Sequence, residues 1–281
     1  MITGSDIPEM LQEIPKAPQK LFIRGELPDA HEYTYLTVVG TRKPTTYGKD
    51  VCEKLIRGLT GLPVVIVSGL AFGIDSIAHR AALDAGIKTV AVPGSGLDPR
   101  VLYPKTHARL ADEIVNAGGC LLSEFDETQE AAPWTFPQRN RIMAGLSKAT
   151  LVIEAELKSG TLITSKHATD FNRDVCAVPG SILSSLSEGP HMLIRLGATP
   201  ITSHDDLREA LGFPRGNEGP RTAPLGLDDI EQKIYNALVE PKDREMISDE
   251  IGVPLQDLNS TLSMLELKGV IRERMGKIER L

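Results

Sequence analysis

Short, near-continuous runs of apolar and β-branched residues recur along the first 180 positions and constrain the fold more than any other feature. They are YLTVVG (35–40), PVVIVSG (63–69), KTVAVPG (88–94), GGCLLSEF (118–125), ATLVIEAE (149–156) and RDVCAVPG (173–180). Continuous rather than alternating hydrophobicity is typical of strands buried on both faces of a parallel sheet. A further run, LFIRGEL (21–27), predicts one more short strand ahead of them.

Helical patterns separate these predicted strands. They are YGKDVCEKLIRGL (47–59), DSIAHRAALDAG (75–86), THARLADEIVNAG (106–118), RNRIMAGLS (139–147) and TSKHATDFN (164–172). Regular alternation of strands and helices indicates βαβ units. The pattern therefore predicts an α/β fold with a doubly wound, mostly parallel sheet.

Four of the predicted strands end in turns that contain glycine. The turns are VVGTRKP (38–44), VSGLAFG (67–73), VPGSGLD (92–98) and EAELKSGT (154–161), each with Ser or Thr beside the glycine. Ligands of open α/β sheets bind outside the carboxyl ends of the strands, and the helix N-termini that follow favour anions. Although glycine turns occur in many α/β proteins, four on one edge predict a site for a phosphate or a nucleotide-like ligand.

Charge and cysteine content narrow the class of protein. The net charge is −7, which argues against coating nucleic acid by bulk charge but leaves room for a local basic groove. Cys52, Cys120 and Cys176 lie far apart in apolar contexts without zinc-ligand spacing, so we expect reduced, buried thiols and no metal. Neither a basic-then-apolar leader nor an 18-residue apolar run occurs, which predicts a cytoplasmic protein that does not span a membrane.

The C-terminal region predicts a second, smaller domain. Residues 212–226 contain three prolines and four glycines and read as a linker. Residues 227–281 predict three helices, the first capped by Asp228, and a hairpin that turns at Gly276, which together make a winged helix. Its tail from residue 268 carries five cations against two acids, but the second helix of its helix–turn–helix has no cation before Lys268. Contact with DNA, a protein interaction and a purely structural role all stay open for this domain.

Seven motifs, taken together and in order, resemble the DprA/Smf family of DNA-processing proteins. They are VVGTRKPTTYG (38–48), SGLAFGIDSIAH (68–79), AVPGSGLDPRVLYPKTH (91–107), LLSEF (121–125), FPQRNRIMAGLS (136–147), VIEAELKSGTLITSKHA (152–168) and AVPGSI (177–182). The resemblance covers roughly residues 20–211. It implies an N-terminal segment (1–20) in place of the helical domain of some members, an extended Rossmann-like domain (21–211) and the winged-helix domain (227–281).

The resemblance also implies a function. Members of the family bind and protect single-stranded DNA, form homodimers and load the RecA recombinase in natural transformation and homologous recombination. They act as mediators without catalysis or cofactor. The expected partners of this chain are therefore single-stranded DNA, RecA and a second copy of itself.

The residues of these motifs have chemistry that suits nucleic-acid binding. Arg42 follows the first core strand and can clamp a phosphate with two donors, and Lys105 matches a frequently basic position of the family. Phe136 offers a face on which a base can stack. The predicted DNA-binding set is Gly40, Thr41, Arg42, Lys43, Ser68, Gly69, Gly94, Ser95, Lys105, Phe136, Arg139, Asn140, Ser159, Gly160 and Thr161.

The sequence leaves more than one role possible for neighbouring polar and aromatic residues. Arg139 and Arg141 diverge by about 200° on a helix, so we expect Arg139 to face DNA and Arg141 to be structural. Asn140 is expected to be a turn or cap residue, and Trp134 either stacks on a base or covers the sheet edge. Asp75 is expected to cap the helix that it precedes.

A rival interpretation uses the same scaffold. The fold resembles that of the cytokinin-activating phosphoribohydrolases, whose PGGxGTxxE motif would fall at Gly160 and Thr161. The catalytic Glu of that motif then falls on Thr164, so N-glycosidic hydrolysis is disfavoured. A nucleotide-sensing binding protein is the alternative function that stays open.

Overall fold

The computed structural model describes residues 1–215, 227–238, 241–274 and 276–280. In it, nine strands form one sheet. They are β1 (Ile2–Thr3), β2 (Lys20–Gly25), β3 (Thr34–Val39), β4 (Val64–Ser68), β5 (Thr89–Ala91), β6 (Cys120–Ser123), β7 (Ala149–Val152), β8 (Asp174–Ala177) and β9 (Thr199–Pro200). All seven predicted strands are present, and β1 and β9 add a short strand at each edge.

The order of the strands confirms the doubly wound fold. Across the sheet the order is β1-β2-β6-β5-β4-β3-β7-β8-β9, with β1 and β2 antiparallel to their neighbours and the rest parallel. From β3 the chain winds outward to β6, returns to β7 beside β3, and winds outward the other way. The carboxyl ends of β3 and β7 therefore flank the topological switch point, where open α/β sheets bind ligands.

Helices cover both faces of the sheet. They are α1 (Glu9–Gln12), α2 (Thr46–Arg57), α3 (Ile74–Asp84), α4 (Ala108–Asn116), α5 (Thr135–Leu146), α6 (Thr161–Asp170), α7 (Glu188–Arg195) and α8 (His204–Ala210). In β3, Leu36 and Val38 enter the apolar cluster under α2 and α3, whereas Tyr35 and Val39 enter the cluster under α5. Because both faces are buried, the strand has to be apolar at successive positions.

The first twenty residues pack onto the same body as the sheet. Ile7, Leu11 and Ile14 are buried in the cluster under α5. A Cβ on Gly145 of α5 would lie 2.9 Å from Ile14 Cγ2, so the N-terminal segment approaches this helix closely. The compact unit that contains the sheet runs from Met1 to Gly216, and a second unit runs from Asn217 to Leu281.

The smaller unit has the elements of a winged helix. They are α9 (Asp229–Ala237), α10 (Arg244–Ile251), α11 (Leu255–Leu267), β10 (Ile271–Arg274) and β11 (Lys277–Arg280), the two strands being antiparallel. Asp228 caps α9 as predicted, accepting from the N–H groups of Ile230 and Glu231 at 2.9 and 2.8 Å. Gly276 has a φ of +76° at the hairpin turn. Residues 216–226, most of the predicted linker, lie outside the described residues.

The three cysteines are fully buried and unpaired, as expected. Burial raises the pKa of each thiol, most strongly that of Cys52, so these side chains act as small apolar groups. No helix within the described part of the chain has the length and apolar character needed to cross a membrane.

His79 of α3 makes the stability of the larger unit depend on pH. Its ring is fully buried, with Nδ1 2.7 Å from Thr89 Oγ1. Burial, aided by the positive charges of His107 and Arg139, lowers its pKa from 6.5 to about 3. Between these pH values the unfolded chain binds one more proton here than the folded chain, so stability is full above pH 6.5 and falls as the pH falls.

We expect His79→Gln to flatten this pH dependence. Between pH 7.0 and 5.5, the free energy of unfolding of the parent protein should fall by roughly 1 kcal/mol more than that of the variant. Urea titrations followed by the fluorescence of Trp134, the single tryptophan, report on the larger unit. Equal losses in the two proteins would show that His79 does not titrate in this range.

Candidate nucleic-acid interface

A pocket of about 260 Å³ lies at the switch point. It is formed by the loops that follow β3, β4 and β7 and by residues of α3, α5 and α6. The residues that line it are Val39, Gly40, Thr41, Arg42, Ala71, Asp75, Phe136, Pro137, Arg139, Asn140, Met143, Ser159, Gly160, Thr161, Ile163 and Thr164. Nine of the fifteen predicted DNA-binding residues are among them. We call this feature the switch-point pocket.

One wall of the switch-point pocket is the N-terminus of α6. Ser159 and Gly160 lead into this ten-residue helix, which begins at Thr161. The Thr161 hydroxyl donates to the Gly40 carbonyl at 3.0 Å and thereby fixes the helix end against the loop after β3. The N–H groups of Thr161, Leu162 and Ile163 already donate to Ser159 Oγ, Ser159 O and Gly160 O. What this wall offers an anion is therefore the positive end of the helix dipole rather than free donors.

The mouth of the pocket pairs an arginine with an aromatic ring. The guanidinium carbon of Arg42 lies 5.3 Å from the centroid of the Phe136 ring, within the range of a cation–π contact. Arg42 is exposed and Phe136 is half-buried. Tyr103 contacts the same ring edge-to-face, with centroids 5.7 Å apart. The guanidinium lies over the ring, so the mouth of the pocket holds a positive charge and an aromatic side chain in contact, two groups that suit a nucleotide.

Gly94 supports the Phe136 ring from behind. The glycine is buried, and a Cβ at this position would come within 2.6 Å of ring atom Cδ1. The sequence predicted that the backbone of Gly94 contacts the ligand. In the structure, Gly94 instead positions the aromatic ring. The glycine is required because the ring lies against the main chain.

We expect Gly94→Ala to weaken binding of single-stranded DNA by displacing this ring. The added methyl group forces Phe136 to move, so the loss should approach that of removing the ring, which is worth roughly 1–3 kcal/mol per stacked base. Titration of a labelled oligo-dT measures the effect, and the double variant Gly94→Ala/Phe136→Ala, which has no ring left to displace, should bind no more weakly than Phe136→Ala. Unchanged affinity would mean that the ring position is irrelevant to binding.

Helix α5 starts four residues earlier than the sequence indicated. The Thr135 hydroxyl donates to the Gly94 carbonyl at 2.6 Å, and Pro137 occupies the first turn, where its missing N–H is tolerated. Asn140 is consequently an interior helical residue, not a turn or cap. Its amide Nδ2 donates to the Gly160 carbonyl at 3.4 Å.

Arg139 is buried on the floor of the pocket rather than exposed on its rim. Only 4% of the residue is exposed, and its Nη1 donates to the Val92 carbonyl. Burial lowers its pKa to about 10, an effect that the charge of Asp75 opposes and that of Arg42 increases. The expectation of a surface phosphate contact is thus corrected: Arg139 acts from beneath the site, as a positive charge in a low-dielectric setting.

Asp75 lines the pocket, although the sequence predicted that it caps α3. The helix cap is Gly73, with a φ of +75°, and Asp75 lies in the first turn of α3. Its Oδ2 accepts from the N–H groups of Gly69 and Ala71 at 3.1 and 3.4 Å. Burial raises the pKa of this carboxyl against the opposing effect of Arg139. A Cβ on Gly69 would lie 1.9 Å from Arg139 Nη1, which explains that glycine.

Other predicted residues lie outside the pocket. Ser68 and Ser95 are fully buried and donate to the carbonyls of Val38 and Gly96, so their hydroxyls do not reach a ligand. Lys43 and Lys105 are exposed beyond the lining of the pocket.

Arg141 and Trp134 both have structural contacts. Arg141 forms an ion pair with Glu124 and donates to the Lys16 carbonyl at 2.8 Å, in agreement with the structural role considered for it. Trp134 is 55% exposed and packs edge-to-face on Phe125, with ring centroids 5.8 Å apart. A stacking role for its exposed face stays a prediction.

The fold is that of a Rossmann-like α/β protein with a pocket at its topological switch point. Residues 1–212 match the family model of DNA recombination-mediator protein A, and the chain belongs to this family. Protein Smf of Escherichia coli strain K12 is 38% identical to it over 272 residues, which cover 94% of this chain and 72% of the relative.

Two solved structures resemble the larger part of the chain. DNA processing protein A of Streptococcus pneumoniae has a TM-score of 0.68 and 45% identity, covering 73% of this chain and 71% of its own. DNA processing protein A of Helicobacter pylori has a TM-score of 0.66 and 29% identity, covering 75% of this chain and 94% of its own. The latter structure was described for its single-stranded DNA binding mode.

Proposed function

We propose that this protein binds single-stranded DNA at the switch-point pocket and delivers it to the RecA recombinase. The observation that carries the proposal is the Arg42 guanidinium stacked on Phe136 beside the N-terminus of α6. This arrangement offers a phosphate contact, a stacking face and an anion-binding helix end within one nucleotide's reach. The single-stranded DNA binding named for the Helicobacter pylori protein supports it.

The mechanism we propose is equilibrium binding without catalysis or cofactor. Arg42 holds a phosphate at the mouth, Arg139 supports it electrostatically from the floor, and Phe136 stacks a base. Lys43 and Lys105, both exposed, extend the path of the strand. A homodimer sets two such sites side by side in the cytoplasm, so that one strand is held at two points and protected before RecA receives it.

The direct test is fluorescence anisotropy of labelled oligo-dT and its duplex at two salt concentrations, without nucleotide. We expect tight, salt-sensitive binding that prefers the single strand. A second assay would follow RecA filament formation on strands covered by single-strand-binding protein, where added protein should accelerate assembly. Absence of oligonucleotide binding at low salt, with binding of mononucleotides, would instead favour the nucleotide-sensing alternative.

We propose that the smaller unit does not hold the DNA. Residues 227–281 carry eight Lys and Arg against twelve Asp and Glu, a net charge of −4. Two cations of the tail are engaged by acids of their own unit: Lys268, at the end of α11, by Glu231 at 2.6 Å, and Arg272, in β10, by Glu279 at 2.6 Å. The exposed side chains of α11 are uncharged or acidic, such as Gln256 and Asp257, and none is basic. Such a surface lacks the cluster of Lys and Arg side chains that is typical of a DNA-binding domain.

Neutralising the wing should therefore leave DNA binding unchanged. We expect Arg272→Ala/Lys277→Ala in the full chain to keep the salt slope for oligo-dT and for duplex, whereas loss of two phosphate contacts would lower it by about two units. The same anisotropy titrations over four salt concentrations measure this. A slope that drops for duplex alone would assign double-strand binding to the wing.

A further inference from the structure

A groove of about 960 Å³ lies at the edge of the sheet where β1 meets β2. Residues drawn from 1–12 and 23–31 line it, and none of them lines the switch-point pocket. In the strand order, β6, β5 and β4 separate β2 from β3, the strand at the switch point. This feature, which we call the edge groove, is therefore separate from the proposed DNA site.

The outer edge of β2 is only partly covered. β1 pairs with the first two residues of β2 and ends there, whereas β2 continues to Gly25. On the inner edge, the Glu26 N–H donates to Gly119 O at 3.2 Å, and successive residues of an antiparallel strand point alternately to its two edges. Ile23 and Gly25 therefore direct their N–H and C=O groups away from β6, along an edge that no strand among the described residues covers.

The edge groove has an apolar floor and an acidic rim. Ile2, Ile23 and Leu27 are half-buried and pack on the apolar cluster under α5, so they form the floor. Four exposed carboxylates also line the groove, whereas no Lys or Arg does. They belong to Asp6, Glu9, Glu26 and Asp29. Among the described residues, none of these carboxylates has an ion-pair partner, so their charges are available to a ligand.

We propose that the edge groove binds an extended, basic segment of a partner protein, which adds a strand to β2. The uncovered N–H and C=O groups supply main-chain hydrogen bonds, as they do where other sheets bind a peptide at an edge. Because the side chains of a strand alternate between two faces, the segment that fits has apolar residues on the floor and Lys or Arg near the carboxylates. About five residues, opposite Ile23 to Leu27, fill this edge.

The charge of the rim favours this occupant over two others. A nucleic acid would bring its phosphates against four carboxylates that have no cation beside them. A second copy of the chain, related by a two-fold axis at this edge, would bring the same carboxylates together. Charges at an open edge keep identical edges from pairing. The rim thus repels DNA and a second copy, while it attracts a basic strand.

The test uses the full chain and a labelled seven-residue peptide with blocked ends in which Lys and Val alternate. In anisotropy titrations at low salt, we expect this peptide to bind about tenfold more tightly, or better, than the same peptide with Glu in place of Lys. Asp6→Lys/Glu26→Lys should lower the affinity for the Lys peptide about tenfold, the fold-change that corresponds to two exposed ion pairs replaced by repulsion. Asp84→Lys/Asp249→Lys reverses two exposed carboxylates outside the groove and should bind as the parent does.

Hydrogen–deuterium exchange distinguishes strand addition from charge attraction alone. The bound Lys peptide should slow exchange of the Ile23 and Gly25 amides, whereas a peptide of equal charge with Pro at its central position should not. Binding without slowed exchange, equal affinity for the Lys and Glu peptides, or equal losses in the two double variants would each overturn the inference. The proposed function is tested separately, because both double variants should bind oligo-dT equally well.

Discussion

Arg42→Ala is expected to weaken binding of oligo-dT by about ten- to a hundredfold, the range for a lost hydrogen bond to a charged group. The slope of log Kobs against log salt should fall by about 0.7–0.9 unit, because one phosphate contact is removed. Arg42 is exposed at the mouth of the pocket and contacts the Phe136 ring, so its removal takes away both a charge and a support for the stacking face. Anisotropy titrations at four salt concentrations measure both quantities.

Two further variants separate charge from geometry at this position. Arg42→Lys keeps the charge but loses the planar, bidentate fork and much of the contact with Phe136. It should retain the salt slope and lose part of the affinity. Arg57→Ala removes an exposed arginine from the C-terminal end of α2, about 18 Å along the helix from the end that follows Arg42. It should change neither the affinity nor the salt slope. If Arg42→Ala binds like Arg57→Ala, the site proposed here is wrong.

The strands of the sheet were predictable because burial on both faces leaves a local signature. Tyr35 and Leu36 before Thr37, and Val38 and Val39 after it, are hydrophobic because neighbours of β3 pack on both sides of it. The edge strands β1 and β9 were missed because two-residue strands carry no such run. Their pairing depends on the neighbouring strand rather than on their own residues.

The burial of individual side chains in the site could not be predicted from the sequence around them. Two prolines around Thr135 predicted a loop, yet α5 begins at this residue. Its hydroxyl donates to the carbonyl of Gly94, which follows β5 and is distant in the sequence. This tertiary contact turns Arg139 inward. Asp75 was assigned to a cap because such residues usually are caps. Gly73, with a φ of +75°, caps α3, and the N–H of Ile74 donates to Thr41 O at 3.1 Å. The helix therefore begins at Ile74, one residue before Asp75.

Phe136→Ala should weaken binding of oligo-dT by roughly 1–3 kcal/mol, the usual cost of losing one base–aromatic stack, while the salt slope stays nearly unchanged. The ring carries no charge, so no phosphate contact is lost with it. The substitution also removes packing contacts, because the ring lies against Tyr103, Arg42 and the backbone of Gly94. Phe136→Tyr, which keeps the same ring and adds only a hydroxyl group, should recover most of the affinity.

Trp134→Ala is the matched control for removing an aromatic residue from the same segment, because this side chain is exposed but packs on Phe125 outside the pocket. We expect it to bind oligo-dT nearly as the parent does, and a loss of affinity would instead show that the exposed face of Trp134 stacks on a base. In Phe136→Ala itself, an unchanged emission spectrum of Trp134 would indicate that the start of α5 has kept its place. A loss of slope as large as that of Arg42→Ala would contradict the stacking role, since it would mean that Phe136 serves mainly to hold Arg42 against the phosphate.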